Sequence, residues 1–292
     1  MLYVLRGASS IGARALVDGL MDAGTPAKRW NDARPRTPVQ GDKVICWGDQ
    51  VEPIEGVTYL NNVPSQTKLN DAIKLRDAGI ATIEFAVERP APLPAGPDPA
   101  LSHLDSVRYW LEEFDANRFA RDAVYTNAVR QTLGAFGGLL RALEEPIPPQ
   151  VAAEWLGRRN NHVGGSDLLA PPANPDFYVR KEDIREEYRI HVFKNKSIRA
   201  GQKRPRPDHE SHQWIRSFDG GWFIDYSNFE STPEMRALAI GAVKALSLDF
   251  GAVDLARKAD GMLIVLEVNR APGLEGNTVL AYVNAVQRWL HG

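Results

Sequence analysis

The chain of 292 residues contains a single cysteine, Cys46. One thiol excludes an internal disulfide, and its place in the apolar stretch KVICWG predicts a buried small side chain rather than a nucleophile. No segment approaches the roughly 18 consecutive apolar residues that cross a bilayer, and the opening MLYVLRG is too short for a signal peptide. These absences predict a cytoplasmic protein with no membrane partner.

The chain also lacks an excess of charge of either sign, because its net charge is −2. No global field then recruits nucleic acid. The loop RGASSIG has neither GxGxxG nor the P-loop lysine, so we interpret it as a strand-to-helix turn. His162 has no histidine or cysteine at metal-ligand spacing, which predicts a loop residue. The composition that remains, 43% hydrophobic and 25% charged, is typical of globular proteins.

Two domains are predicted from the length and from the order of elements. Residues 1–64 alternate as an α/β unit with strands in YVL, KVICWG and VTYLNN and a helix, IGARALVDGLMDAG, that closes at Gly24. Residues 65–292 form the second domain, whose first helix is predicted to be capped by Ser65 and closed by Gly79.

An insertion is predicted within the second domain at residues 88–148. Five prolines lie between residues 90 and 99, which indicates a loop without regular structure. A helix-compatible stretch follows up to EEPIPPQ, and this whole region separates two segments that otherwise read as neighbours.

The stretch FGAVDLARKADGMLIVLEVN predicts a β-hairpin with Asp260-Gly261 as a two-residue turn. That register places Asp254 directly opposite Glu267. The alternation of side chains then puts Asn269 and Val265 on the face of Glu267. A longer loop would move the partners.

Two opposed carboxylates and an amide oxygen predict a metal site on this hairpin. Like charges directly opposed destabilise a sheet unless a cation lies between Asp254 and Glu267. With Asn269 they form an oxygen-only set that suits Mg²⁺ and leaves positions for phosphate oxygens. The alternative is that the acidic residues face water on a half-exposed sheet.

The sequence KADG, which starts at Lys258, matches the KxDG signature of covalent nucleic-acid ligases. Those enzymes need a long domain after the lysine, whereas only residues 262–292 follow the motif. We therefore reject this interpretation in favour of a turn.

The stretch EYRIHVF predicts a strand with a polar face and an apolar face. Glu187, Arg189 and His191 alternate on one face, although a half-exposed strand would explain the same pattern. A return strand through residues 197–200 is predicted after the KNK turn. Lys203 and its basic neighbours then form either a solvated loop or an anion clamp: Lys203, Arg204, Arg206.

A further phosphate contact is predicted in RRNNHVGGSDLL. Gly164 and Gly165 allow the backbone to approach a ligand closely, and Arg158 or Arg159 could meet phosphate. An ordinary surface turn is the alternative.

These residues together resemble the ATP-grasp superfamily of carboxylate–amine ligases, an α/β (α+β) fold in which two subdomains grip ATP. The most specific part is Asp254, followed by Glu267-Val268-Asn269 and Pro272-Gly273. The general pattern is closest to phage-type and ribosomal-protein glutamate-ligase-like members. Departures are the arginines where many members have lysine, the insertion and the short N-terminal unit.

The resemblance implies roles for individual residues and covers about residues 60–285. Lys68 resembles the early phosphate-binding lysine, and Glu187 the ribose-binding acid. The RRNNHVGG segment resembles the basic strand end and glycine-rich flap over the phosphates. The FYVRK segment resembles the hinge against adenine: Tyr178, Val179, Arg180, Lys181.

The implied reaction uses ATP and Mg²⁺, with Mn²⁺ as an alternative metal. A substrate carboxylate forms an acylphosphate, and an amine displaces phosphate. Arg189 would stabilise the oxyanion, while Lys203 and Arg270 are candidates for phosphate or a substrate carboxylate. Amino acids and peptides are the expected substrates, and assembly into a homo-oligomer is an open alternative. The rival hypotheses are a kinase on the same fold and an inactive nucleic-acid-binding or scaffold protein.

Overall fold

The computed structural model of the chain describes residues 1–6, 11–30, 37–90, 155–160, 166–169, 172–213 and 215–292. The predicted insertion lies outside these ranges, apart from its first residues. Gly164, Gly165 and His162 also lie outside them. Within the described residues, no helix has the length and apolar character needed to cross a membrane.

The described part of the chain contains five helices and twelve strands. The helices are α1 (Ile11–Asp22), α2 (Lys68–Asp77), α3 (Ser166–Leu169), α4 (Pro233–Ala245) and α5 (Asn277–His291). The strands are β1 (Leu2–Arg6), β2 (Ala27–Trp30), β3 (Lys43–Trp47), β4 (Thr58–Leu60), β5 (Phe85–Ala86), β6 (Trp155–Arg158), β7 (Phe177–Arg180), β8 (Ile184–Phe193), β9 (Lys196–Pro205), β10 (Trp222–Asp225), β11 (Phe250–Lys258) and β12 (Leu263–Asn269).

The N-terminal sheet is parallel, with strand order β2-β1-β3-β4. The three predicted strands and the helix α1 are present, and Gly24 follows the helix with a φ of 74°. The edge strand β2 was not predicted, because two exposed charged residues interrupt its apolar ends. Cys46 is buried in β3, and burial raises the pKa of its thiol to about 12, as expected for an inert core residue.

Asn61 joins the N-terminal sheet to the large antiparallel sheet. It directly follows β4 and has a φ of 55°. Its side-chain amide donates to the carbonyl of Phe250 at 2.8 Å, and its side-chain oxygen accepts from the backbone N–H groups of Asp249 and Phe250. The end of β4 is therefore attached to the start of β11.

The central sheet has five antiparallel strands in the order β10-β9-β8-β11-β12. One face packs against α4 in an apolar core that contains Tyr188, Ile190 and Val192, as the alternation in β8 predicts. At one end of the opposite face, Phe193 and Phe250 pack with Tyr282 of α5. The polar side chains of β8 lie on this second face, beyond the aromatic cluster.

The third sheet has the strand order β5-β7-β6 and is also antiparallel. Residues 181–183 connect its middle strand directly to β8 of the central sheet. The FYVRK segment, which is predicted to be a hinge, therefore lies where one sheet passes into the next.

The helix α2 is capped by Thr67. The Thr67 side chain accepts a hydrogen bond from the N–H of Asn70 at 3.1 Å. The predicted cap, Ser65, was wrong because the helix starts at Lys68 and only the residue directly before it can reach the first turn. Gly79 follows the helix with a φ of 70°, as predicted.

The hairpin of β11 and β12 has a three-residue loop rather than the predicted two-residue turn. The N–H of Lys258 donates to the carbonyl of Met262 at 2.9 Å, so residues 259–261 form the loop. A bulge in β12 then adds one residue, because Asp254 is paired with Glu267 whereas the next pair is Leu255 with Val265. The two deviations cancel, and the predicted pair of carboxylates is confirmed.

The bulge also decides which face Val265 occupies. Val265 is fully buried in the core beneath α4, together with Val268, and does not share the face of Glu267. That prediction was wrong because the extra residue between Val265 and Glu267 reverses the alternation. The backbone of Val265 bonds on its outer side to residues 81–83, which lie beside β12.

Candidate active site

A row of charged side chains crosses the polar face of the central sheet. Arg189 in β8 is paired with Asp254 in β11, and Asp254 is paired in turn with Glu267 in β12. On the other side Arg189 is paired with Gly201 in β9. Residues directly opposed in a sheet share one face, so the sequence of charges along this row is fixed by the register.

Arg189 and Asp254 form a bidentate ion pair. Nε and Nη2 of Arg189 donate to the two carboxylate oxygens at 2.7 and 2.8 Å. Burial opposes the charge on both groups, yet Asp254 raises the pKa of Arg189 overall, and Arg189 with Lys203 lowers the pKa of Asp254 overall. Both side chains are therefore charged in the folded protein.

Glu267 is held by two partners at the end of the row. Nζ of Lys68 lies 2.7 Å from one carboxylate oxygen, and Nδ2 of Asn269 donates to the other at 3.1 Å. The helix α2 thus brings the predicted phosphate-binding lysine to the predicted metal ligands. Two carboxylates and an amide form an oxygen donor set, which fits Mg²⁺. No group of three or more His, Cys, Asp or Glu suited to a metal occurs in the described ranges.

Lys203 lies inside a strand and not in a loop. It occupies β9 beside Glu187, and its Nζ lies 2.7 Å from the Glu187 carboxylate. Burial lowers the pKa of Lys203, but Asp254 and Glu187 offset this and leave the pKa above its ordinary value. The hypothesis of a solvated basic loop was therefore wrong for Lys203, whereas Arg204 is half-exposed and paired with Asp225.

The polar face of β8 is buried. Glu187 is 6% exposed and His191 is 0% exposed, so the alternative of a half-exposed strand was wrong for both residues. Nε2 of His191 lies 2.9 Å from the hydroxyl of Tyr226, and Nδ1 lies 3.2 Å from the hydroxyl of Tyr282. Burial, followed by Arg189, lowers the pKa of His191 to about 3, so this imidazole is neutral.

Arg270 holds α2 against the end of β12. Its guanidinium donates to Asp71 at 2.5 Å and to the carbonyl of Pro64 at 2.9 Å. Burial raises the pKa of Asp71, and Arg270 opposes that shift. With the contact between Lys68 and Glu267, two ion pairs join the first turns of α2 to β12 and the residue that follows it.

Arg158 ends β6, as the resemblance implies for the basic strand end. Its Nε lies 2.9 Å from Asp167 in α3, and the N–H of Arg159 donates to the same carboxylate at 3.0 Å. The side chain of Asn160 accepts from the N–H of Leu69 in α2 at 3.2 Å. The strand that precedes the predicted flap is thereby positioned near Lys68.

The predicted hinge lies along β7. Val179 is buried, and Tyr178 is half-buried. Arg180 is exposed and forms an ion pair with Glu84 at 2.9 Å, and Lys181 follows directly. All residues predicted to contact ATP, except Gly164 and Gly165, are thus among those that the structure describes.

Two residues on the polar face were not predicted as site residues: Tyr226 and Arg199. Arg199, Gly201 and Lys203 alternate along β9 on the same face as Arg189. This pattern was visible in IRAGQKRP, but the predicted strand ended at Ala200. No local signal marks Tyr226, which reaches the site because Gly201 leaves space beside its ring.

The C-terminal part of the chain matches a known family. Residues 223–290 match the family model of the RimK-like ATP-grasp domain. The chain is 56% identical over 96 residues to "Probable alpha-L-glutamate ligase 1" of Shewanella sp. (strain MR-4). That match covers 33% of this chain and 30% of the relative, so the chain spans less than a third of the length of this curated relative.

Solved structures extend the similarity to the whole fold. The ATP-grasp ligase PsnB in complex with a minimal precursor, Mg and ADP has a TM-score of 0.54 at 13% identity, with 98% of this chain and 96% of that chain covered. The D-alanine–D-alanine ligase of Bacillus anthracis has a TM-score of 0.53 at 15% identity, with 98% and 92% covered. The fold of the chain is thus similar to that of solved ATP-grasp ligases, and residues 223–290 match a RimK-like ATP-grasp model, in agreement with the resemblance inferred from the sequence.

Proposed function

We propose that the chain is an ATP- and Mg²⁺-dependent ligase that joins a carboxylate to an amine through an acylphosphate. The observation that carries this proposal is the row of charges on the central sheet. Cations from α2 and β8 enclose two opposed carboxylates from β11 and β12 within an ATP-grasp fold. The relatives named as probable alpha-L-glutamate ligases make L-glutamate the first substrate to test.

The ion pairs of Lys68 and Arg189 with carboxylates support a role for both cations in binding phosphate or acyl oxygens. Lys68 and Arg189 are charged donors that bind carboxylates by charge-assisted hydrogen bonds, and a phosphate oxygen is an acceptor of the same type. Each can therefore exchange its carboxylate partner for an oxygen of ATP or of the acyl group. Arg189 offers a planar fork with a fixed charge, which suits the oxyanion that develops during acyl transfer.

The metal ligands in this proposal are Asp254, Glu267 and Asn269. When bound there, Mg²⁺ would supply the positive charge that phosphoryl transfer requires. In the reaction, an oxygen of the substrate carboxylate bonds to the γ-phosphorus and the bond to ADP breaks. The amine nitrogen then bonds to the acyl carbon, phosphate leaves, and the nitrogen loses a proton.

The remaining residues are assigned to binding and positioning. Glu187 is the proposed ribose contact, and Lys203 holds it at 2.7 Å. The hinge along β7 is proposed to contact adenine. Arg270 is a further candidate for phosphate or a substrate carboxylate, and it also fixes α2 through Asp71 and the carbonyl of Pro64.

Hydroxylamine trapping tests the proposal. The purified chain is incubated with ATP, Mg²⁺ and L-glutamate or other carboxylates, and ADP release and hydroxamate formation are measured. A hydroxamate that requires both ATP and the carboxylate is the expected result, since only an activated acyl group reacts with hydroxylamine. A stable phosphorylated product without hydroxamate would contradict the ligase and identify a kinase.

A matched pair of variants ties the activity to the site. Glu267→Gln should abolish hydroxamate formation, whereas Arg204→Gln alters an ion pair at the sheet surface and should preserve it. Equal activity of the two variants would contradict the assigned site.

A further inference from the structure

Arg199 is a half-buried cation for which the described part of the chain provides no anionic partner. Its Nε is buried and has no hydrogen-bond partner. Its guanidinium carbon lies 5.0 Å from the centre of the Tyr226 ring, which is a cation–π contact. The other cations of the candidate site, Arg189 and Lys203 on the sheet and Lys68 on α2, each have a carboxylate at 2.7 Å.

The register places Arg199 diagonally from Arg189 on the polar face of the central sheet. Arg199 is paired with His191, and Arg189 with Gly201, so the two arginines lie on adjacent strands two residues apart. Diagonal neighbours of this kind are separated by roughly 7 to 8 Å. The two guanidinium groups thus share one polar surface.

Tyr226 occupies the space between the two arginines. A Cβ at Gly201 would lie 2.7 Å from Cδ1 of Tyr226, so the absence of a side chain there admits the ring. The tyrosine hydroxyl lies 2.9 Å from Nε2 of His191, which fixes its direction. Arg189 and Arg199 both act on the pKa of this hydroxyl, as their closeness to it requires.

The neighbours of Arg199 are neutral. The pKa of His191 is lowered to about 3, and burial raises the pKa of Tyr226 above its ordinary value. Neither ring carries a negative charge, so the buried Nε of Arg199 has no anion beside it among the described residues. An external carboxylate would supply that charge and accept the planar donors of the guanidinium.

We propose that Arg199 binds a non-reacting carboxylate of the substrate, so that the chain selects a small dicarboxylate such as an acidic amino acid. One carboxylate lies on Arg199 and the other extends towards Arg189, with Tyr226 between them as a spacer. This inference rests on the proposed ligase function and adds to it the residue that determines specificity.

Calorimetric titration with defined anions tests the inference without turnover. L-glutamate and glutarate are the probes with two carboxylate anions, here called dianions although the ammonium of L-glutamate leaves it a net charge of −1, and L-glutamine and glutaramate are the matched compounds in which one carboxylate is an amide. The wild-type chain should bind the dianions more tightly than their amides. Arg199→Gln should weaken dianion binding by about 10- to 100-fold, the loss expected for a hydrogen bond to a charged group, and should leave the amides unchanged.

Two further variants separate a binding role from a structural one. Arg204→Gln removes the same charge from the same strand, but from an exposed pair with Asp225, and should bind as the wild type does. Arg199→Lys keeps the charge without the planar fork and should give intermediate affinity. If Arg199→Gln does not fold, Arg199→Lys still reports on the same contact.

Equal binding of dianions by the wild type and Arg199→Gln would overturn the inference, as would a wild type that does not prefer dianions to amides. The hydroxamate assay distinguishes the two proposals. Full activity of Arg199→Gln with every dicarboxylate would refute the specificity role and leave the ligase intact. Selective binding through Arg199 without any hydroxamate would refute the ligase and leave the carboxylate site intact.

Discussion

Separating Arg189 from Asp254 should destabilise the chain strongly. Asp254 is 5% exposed and Arg189 is 23% exposed, and two hydrogen bonds of 2.7 and 2.8 Å join them. Asp254→Asn leaves the guanidinium without its counterion and removes an attraction for Lys203. Loss of one partner from a buried pair costs about 3 to 5 kcal/mol of unfolding free energy, and Arg189→Gln should cost a similar amount.

A double-mutant cycle isolates the contribution of the contact itself. The double variant Asp254→Asn/Arg189→Gln contains no unpaired charge in this contact, so its cost should be smaller than the sum of the two single costs. We expect a coupling of about 1 to 3 kcal/mol. Urea unfolding followed by fluorescence of the seven tryptophans and by circular dichroism provides the four free energies.

The half-exposed pair of Arg204 and Asp225 is the control for this cycle. Its atoms are 3.3 Å apart, and Arg204 is 50% exposed. Coupling there should not exceed about 1 kcal/mol, because solvent screens such pairs. If the costs of Asp254→Asn and Arg189→Gln were additive within about 0.5 kcal/mol, the buried ion pair would be refuted.

Four further outcomes are expected. Glu267→Gln should lower ADP release by roughly 10²-fold or more at saturating Mg²⁺ with an unchanged circular dichroism spectrum, and near-normal turnover would refute its role as a ligand. Lys258→Ala should leave ADP release nearly unchanged, since its amine contacts Glu182 at 3.0 Å outside the charged row; a covalent nucleotide adduct lost in this variant would show otherwise. Asn61→Ala should lower the free energy of unfolding by roughly 3 kcal/mol, because the backbone N–H groups of Asp249 and Phe250 lose their acceptor. A negligible change in the free energy of unfolding would contradict this role. Because the pKa of Asp254 is lower in the folded chain, its ionised carboxylate stabilises the fold at a pH above its unfolded pKa of about 3.9, and this stabilisation is lost as the pH falls through the folded pKa. In urea titrations the free energy of unfolding should therefore fall less steeply with acid for Asp254→Asn than for the wild type. Identical slopes for the two proteins would contradict the lowered pKa.

The pairing of the two carboxylates proposed as metal ligands was predictable because strand alternation and pairing are strict local rules. Asp254 and Glu267 could be placed opposite each other from the sequence, although the loop length assumed for that result was wrong. The bulge that restored the register leaves no local signal in the sequence. It lies where residues 81–83, which are distant in sequence, bond to the outer edge of β12 at Val265.

Burial of the charged face was not predictable from alternation alone. The pattern of β8 shows that Glu187 and His191 share a face but not what covers them. Tyr282 from α5 and Tyr226 after β10 complete that environment, and both are distant in sequence. Lys203 was misplaced for a related reason, because a basic run is more common in solvent than inside a strand.

The bulge in β12 implies an unusual tolerance to loss of a residue in the hairpin at the edge of the five-stranded sheet. Deleting one residue from a regular strand displaces every side chain beyond it to the opposite face. Deleting Leu266, by contrast, would leave Val265 opposite Leu255 and Glu267 opposite Asp254, as they are in the intact chain. Loss of a residue at this position therefore keeps Asp254 opposite Glu267 and reduces only the local twist of the strand.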